Sequence, residues 1–274
     1  MQTADTTAIE PCATPLTNAE RRDDILFLLH AYRSSGRGAP QILDESERRR
    51  FRAGDAGTQR RLFFRLLCYG ALAAQPAPEA VVLADWHRLT AAGVVEQVFD
   101  RAFDVYRFAV APPVSRSDSR GRVVDFIRLS QARELWAGLL PQPGDDAEVI
   151  DVLYACSGGA LKSRAFWVTR EMLRLGLWPA NGLRRSACVP DGRVRKRASR
   201  IGLVDLPEHA ETLDDMKAVS AALHAVLGLA GDEARGLYDL PLSGAAQRCE
   251  VCDRRRMASC PMPHCRFRRV TLAE

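Results

Sequence analysis

Three stretches of the chain hold side chains whose type and spacing could do chemistry. The first, Ala187 to Val204, reads ACVPDGRVRKRASRIGLV. Between Gly182 and Arg200 there are seven basic residues (Arg184, Arg185, Arg193, Arg195, Lys196, Arg197 and Arg200) and one acid, Asp191. A carboxylate among groups suited to a polyanion repels that polyanion, so its presence needs a reason. One reason is chemical: a fixed carboxylate stabilises a cation that develops beside it. The plainer reading is a helix cap. Pro190 disfavours helix at Val189. Val194, Ala198 and Ile201 then recur at helical spacing, which places Asp191 at the N-cap.

The second stretch, Arg248 to Cys265, reads RCEVCDRRRMASCPMPHC, with cysteines at 249, 252, 260 and 265. Four thiolates this close repel one another unless they share a centre. Tetrahedral sulfur ligation suits zinc or an iron–sulfur cluster, and spacing alone does not separate the two. His264 could substitute as a ligand, and four reduced thiols are the remaining reading. Residues 1–20 lack a basic start followed by an apolar core, so they do not read as an export signal. Without one, the cluster favours metal over disulfides. Cys12, Cys68, Cys156 and Cys188 are scattered, and a cysteine in apolar helical context is usually a small core residue.

The third stretch, Val152 to Leu173, reads VLYACSGGALKSRAFWVTREML. It predicts a helix, a break at Gly158-Gly159, and a second helix carrying Lys162. Glycine supplies the positive φ that a tight hairpin needs. The start of the second helix is expected to present unpaired amides, which bind phosphate well. An ordinary pair of antiparallel helices is the plainer reading. A lysine amine, when neutral, is a nucleophile. Leu161, Phe166 and Trp167 nearby predict partial burial of Lys162; a surface lysine is the alternative.

The elements that must position these groups read as helices. Apolar spacing predicts them over Arg21–Ser34, Arg60–Ala74, Glu79–Ala92, Val94–Phe108, Ser130–Leu139, Asp145–Ala155, Leu161–Leu175 and Leu213–Leu227. Pro112 to Arg122 reads as a polar loop. Period-two segments are scarce, so the fold class is all-α. The chain has 274 residues, 47% hydrophobic and 27% charged, values of an ordinary globular protein with one large domain or two small ones. No apolar run reaches the length of a membrane span. The net charge is +5, but it is clustered: Arg248 to Arg269 adds seven arginines against two acids. Clustered arginine fits a polyanion partner, or else a solvated basic face.

Taken together, the glycine hairpin with Lys162 and the segment VPDGRVRKRASRIGLV resemble the helix-hairpin-helix DNA glycosylase superfamily. Endonuclease III, adenine glycosylase and the 8-oxoguanine glycosylases belong to it. The resemblance covers Val149 to Leu206 best. The hairpin departs from the family's Leu-Pro-Gly-Val-Gly, reading Cys-Ser-Gly-Gly-Ala, and the path from Lys162 to Asp191 is about ten residues longer than the family's. The resemblance implies Asp191 as the catalytic carboxylate and Lys162 as the lysine of members that also act as lyases on abasic sites. Gly158 and Gly159 match the hairpin that grips a DNA phosphate. Arg193, Arg195 and Lys196 are DNA-binding candidates, and Gln75 matches a glutamine that the family inserts into the duplex.

Many members carry a [4Fe–4S] cluster near the C-terminus. The resemblance therefore assigns Cys249, Cys252, Cys260 and Cys265 to such a cluster, with Zn2+ the alternative. It implies two helical lobes flanking a DNA-binding cleft: residues 60–180 as a bundle ending in the hairpin, and residues 21–59 with 181–274 as the metal-bearing lobe, after a flexible leader at 1–20. The expected partner is double-stranded DNA with a flipped base, damaged or modified as in phage DNA, acted on by a cytoplasmic, nucleoid-associated monomer with no membrane contact. Trp86, Trp136, Phe166 and Trp167 are stacking candidates or core residues. The rivals are a non-catalytic DNA-binding module and a zinc-ribbon protein acting on RNA.

Overall fold

The computed structural model describes residues 15–34, 42–74, 77–114, 116–140, 146–178, 187–207, 209–237, 239–244 and 262–265. Among them there are helices and turns and no strand, so the chain is all-α as its periodicity predicts. Along the chain, α1 is Asn18–Ser34, α2 Glu45–Ala53, α3 Ala56–Ala73, α4 Glu79–Ala91, α5 Val94–Phe99, α6 Val105–Val110 and α7 Ser117–Gln131. Then come α8 Arg133–Ala137, α9 Asp146–Cys156, α10 Arg164–Arg174, α11 Gly192–Arg200, α12 Leu213–Leu227, α13 Asp232–Leu237 and α14 Leu240–Gly244. No described helix is long and apolar enough to cross a membrane.

The chain divides into two compact units, Met1–Ala39 with Cys188–Glu274, and Pro40–Ala187. The sequence reading places the joins at 59/60 and 180/181. The difference at the first join is α2, which packs on α3 and so lies with the middle of the chain. Its start is a capping box: Asp44 accepts from the Glu47 N–H at 2.8 Å, and the Glu47 carboxylate accepts from the Asp44 N–H at 2.9 Å. That device is visible in the residues DESE, although the periodicity alone does not pick the helix out.

In the middle unit, α3 is the central helix. Its apolar residues run almost all round, and Leu62 to Ala73 are buried but for Arg65. It packs against α2, α4, α5, α7 and α10. Each large apolar side chain so buried contributes roughly 1.5–3 kcal/mol. The crossing with α10 is close. A Cβ on Gly70 would stand 3.2 Å from Leu161 Cδ2 and 3.3 Å from Val168 Cγ2. The four aromatic stacking candidates belong to this core. Trp86, Trp136, Phe166 and Trp167 are at most 3% exposed, and Tyr69 packs on both Trp86 and Trp167 at ring separations of 5.5 and 5.3 Å. They are unavailable to a nucleobase.

Several expected elements differ. The helix expected over Ser130–Leu139 is instead the last residues of α7 followed by the short α8, and that over Leu161–Leu175 starts at Arg164. The helix expected over Val94–Phe108 breaks after Phe99. Arg101 takes a φ of +59°, and α6 restarts with Asp104 accepting from the Arg107 N–H at 2.9 Å. No α6 residue is buried, and Tyr106 and Val110 are each 87% exposed. The expected loop 112–122 is instead largely the first turns of α7, because buried Ser119 donates to buried Asp85 at 2.5 Å and holds that polar start against α4.

In the other unit, α1 turns Ile25, Leu28 and Leu29 inward and packs with α12, α13, α14 and a short 3-10 turn at Gly228–Ala230. Thr212 and Asp215 form a reciprocal cap at the start of α12. Helix α11 packs on α14.

Candidate functional site

Asp191 is the N-cap of α11. Its Oδ1 accepts from the Val194 N–H at 2.8 Å. The residues leading to it, Ala187 to Pro190, are buried, whereas Asp191 is half-buried and Gly192 and Arg193 are exposed. The carboxylate thus stands where a buried segment emerges. One oxygen is engaged by the cap, and that bond leaves the other free of it. The amphipathic α11 buries Val194, Arg197 and Ala198. Its outer face carries Arg193 and Lys196, both exposed. Arg195 is turned back, donating to the Pro207 carbonyl at 2.8 Å. Of the three basic candidates on this helix, Arg193 and Lys196 are therefore the ones free to meet a partner by exposure.

Two tertiary bonds hold this segment. The Val189 N–H donates to the Asp239 carboxylate at 3.0 Å, and Arg197 donates to the Leu242 carbonyl at 2.9 Å. Neither residue stands out in the sequence as part of the site; the partners are 50 and 45 positions away.

The hairpin lies in the other unit. Helices α9 and α10 contact each other, and between them Gly158 and Gly159 have φ of +57° and +80°. The second glycine is also a close approach, since a Cβ there would stand 3.2 Å from Tyr154 Oη. The glycine break is therefore where the sequence predicts it. Most of the expected unpaired amides are not. Gly158, Gly159 and Ala160 donate to the carbonyls of Ala155, Tyr154 and Ser157 at 2.9, 2.9 and 3.2 Å. Leu161 donates to the Ser157 hydroxyl at 3.1 Å, and Arg164 and Ala165 donate to Leu161 and Lys162 at 2.6 and 3.1 Å. The turn spends these donors on itself, because α10 starts at Arg164 and the residues before it form tight turns. Lys162 has a φ of +43° and an exposed side chain, whereas Leu161, Phe166 and Trp167 are buried. The expected partial burial of Lys162 is thus replaced by exposure: the left-handed backbone at Lys162 turns its side chain away from the core its neighbours enter.

Gln75, Cys249, Cys252 and Cys260 lie outside the described residues. Cys265 is buried, and the preceding His264 donates its N–H to Asp24 of α1 at 2.8 Å. Among the described residues no group of three or more His, Cys, Asp or Glu could hold a metal ion. Cys68 and Cys156 are buried thiols, and burial pushes both up, Cys156 to about 11. A cavity of about 470 Å³ in the middle unit is lined by Arg50, Arg61 and Arg65 with Glu47, Asp55 and Glu96. Its charges largely satisfy one another: Arg61 pairs with Glu96 at 2.7 Å, and Arg65 pairs with Glu47.

Set against known proteins, the chain matches no family model, no curated protein and no solved structure.

Proposed function

We propose that the protein is a DNA-binding enzyme that extrudes a damaged or modified base and cleaves its N-glycosidic bond. The observation that carries this reading is Asp191: a half-buried carboxylate at the point where a buried segment surfaces, on a helix whose outer face is basic. The order of the chain supports it too. The middle unit ends with the glycine hairpin, and Asp191 opens the first helix of the return to the unit that holds the N-terminal helix.

Reaching a base inside a duplex requires flipping it out. The C1′–N bond then breaks, the base leaves with the bonding electrons, and positive charge spreads over C1′ and O4′. Asp191 stabilises that charge electrostatically. Water adds its oxygen to C1′, its proton goes to the departed base nitrogen, and an abasic site remains. Were the protein also a lyase, the Lys162 amine, having lost a proton to solvent, would attack C1′ in place of water; opening of the C1′–O4′ bond would then leave a Schiff base, which permits strand breakage and which borohydride would trap as a covalent adduct. Arg193 and Lys196 contact phosphate. The donor chemistry of Cys249, Cys252, Cys260 and Cys265 fits a [4Fe–4S] cluster, with zinc the alternative, and a bound cluster would fasten the arginine-rich C-terminal segment. A brown protein with broad visible absorption indicates iron–sulfur; a colourless one with stoichiometric zinc indicates the alternative.

Two experiments test the reading. The first is base release from a panel of lesion-bearing and modified duplexes; excision that is lost in Asp191→Asn is expected. The second needs no substrate. A duplex carrying a pyrrolidine abasic analogue, cationic at neutral pH, is compared with one carrying neutral tetrahydrofuran. Tighter binding of the cation is expected. Equal binding by the unsubstituted protein overturns the carboxylate's role and leaves Asp191 a cap, as in a non-catalytic DNA-binding module.

A further inference from the structure

We infer that Asp239 is a positioning residue for Asp191, an inference that rests on the reading of Asp191 as the charge-stabilising carboxylate. Asp239 is 1% exposed, and its Oδ1 accepts from the Val189 N–H at 3.0 Å. Val189 is two residues before Asp191. Pro190 lies between them, with a fixed φ and no N–H of its own. The bond to Asp239 therefore fixes the backbone just ahead of a stiff residue, and the locked φ of Pro190 leaves fewer torsions between that tie and Asp191. Ala187, Cys188 and Val189 are at most 2% exposed, so the approach to Asp191 is held in packed surroundings.

The same C-terminal element grips the far side. Arg197, 4% exposed, donates to the Leu242 carbonyl at 2.9 Å. Asp239 immediately precedes α14, and Leu242 lies inside it. Helix α14 and the residue just before it thus bond to the chain on both sides of Asp191, and α14 packs in turn on α1. A cap bond alone leaves a carboxylate free to swing with the loop in front of it. The tie at Val189 removes that freedom.

The test measures the preference for the pyrrolidine duplex over the tetrahydrofuran duplex, together with thermal unfolding. Asp239→Asn keeps an oxygen acceptor at the same reach and is expected to retain the preference. Asp239→Ala removes the tie, and Asp239→Glu lengthens it by one methylene. Both are expected to lower the preference about tenfold or more while binding of the tetrahydrofuran duplex stays within about twofold. Should Asp239→Ala fail to fold, the Asn and Glu variants decide. Retention of the full preference by Asp239→Glu overturns the inference, as does its loss in Asp239→Asn with unchanged unfolding. No cation preference in the unsubstituted protein instead removes the reading of Asp191 on which the inference stands.

Discussion

Asp191 is expected to do two jobs that substitution can separate. Its oxygen caps α11 through the Val194 N–H at 2.8 Å, and under the proposed function its charge would face the reacting sugar. Asparagine caps a helix about as well as aspartate, whereas alanine forfeits about 1 kcal/mol. Asp191→Asn should therefore unfold at the temperature of the unsubstituted protein, and Asp191→Ala should unfold about 2–4 °C lower. The charge is lost in both. A cation about 4 Å from a carboxylate gains about 4 kcal/mol at an effective dielectric constant of about 20. Asp191 is only half-buried, and water screens part of that. A net of about 2–3 kcal/mol predicts a roughly 30- to 150-fold preference for the cationic abasic analogue, absent in both variants. Calorimetric unfolding and competition binding on the two duplexes measure these quantities. An Asn variant that keeps the preference refutes the electrostatic role, and one that loses as much stability as the Ala variant refutes the cap.

Other expectations concern packing, pH and salt. Gly70→Val should cost about 1–3 kcal/mol, since even a Cβ there stands 3.2 Å from Leu161 Cδ2, while Gly121→Ala, with nothing within 4 Å, should gain up to about 1 kcal/mol from helix propensity. Matching unfolding temperatures for the two variants would contradict the close crossing of α3 and α10. Burial lifts the Asp24 carboxyl from 3.8 to about 6, against the opposing pull of the His264 N–H. The folded protein then holds that proton more tightly than the unfolded chain. Its contribution to stability is full below about pH 4 and is lost as pH rises through about 6. Unfolding profiles should show this decline and Asp24→Asn should lack it; parallel profiles would count against it. Replacing both Arg193 and Lys196 with alanine should flatten the dependence of log binding constant on log salt by about 1.8. An unchanged slope means that α11 does not touch phosphate.

Local signals carried much of the site. Pro190 with the helical recurrence of Val194, Ala198 and Ile201 placed the Asp191 cap, and the Gly158-Gly159 pair placed the break between α9 and α10, because caps and positive φ are properties of a few neighbouring residues. What failed was whatever depends on how a turn closes. The amides after Gly159 looked free by position, yet Ser157 and the backward carbonyls take up most of them. The left-handed φ of Lys162 sends its side chain outward although its neighbours are apolar. The break after Phe99 likewise follows from Arg101 adopting a conformation that no residue type there demands.

The amino-acid sequence by itself determined the helical class, the glycine break and the cap, since each is set within a turn or two by periodicity, glycine and proline. Only the tertiary structure decided that the aromatic candidates are core, that α2 belongs with the middle of the chain, and that Asp239 and Leu242 hold the segment around Asp191. Those are contacts between residues tens of positions apart. They are selected by which faces can be buried together, and no window of neighbouring residues encodes that choice.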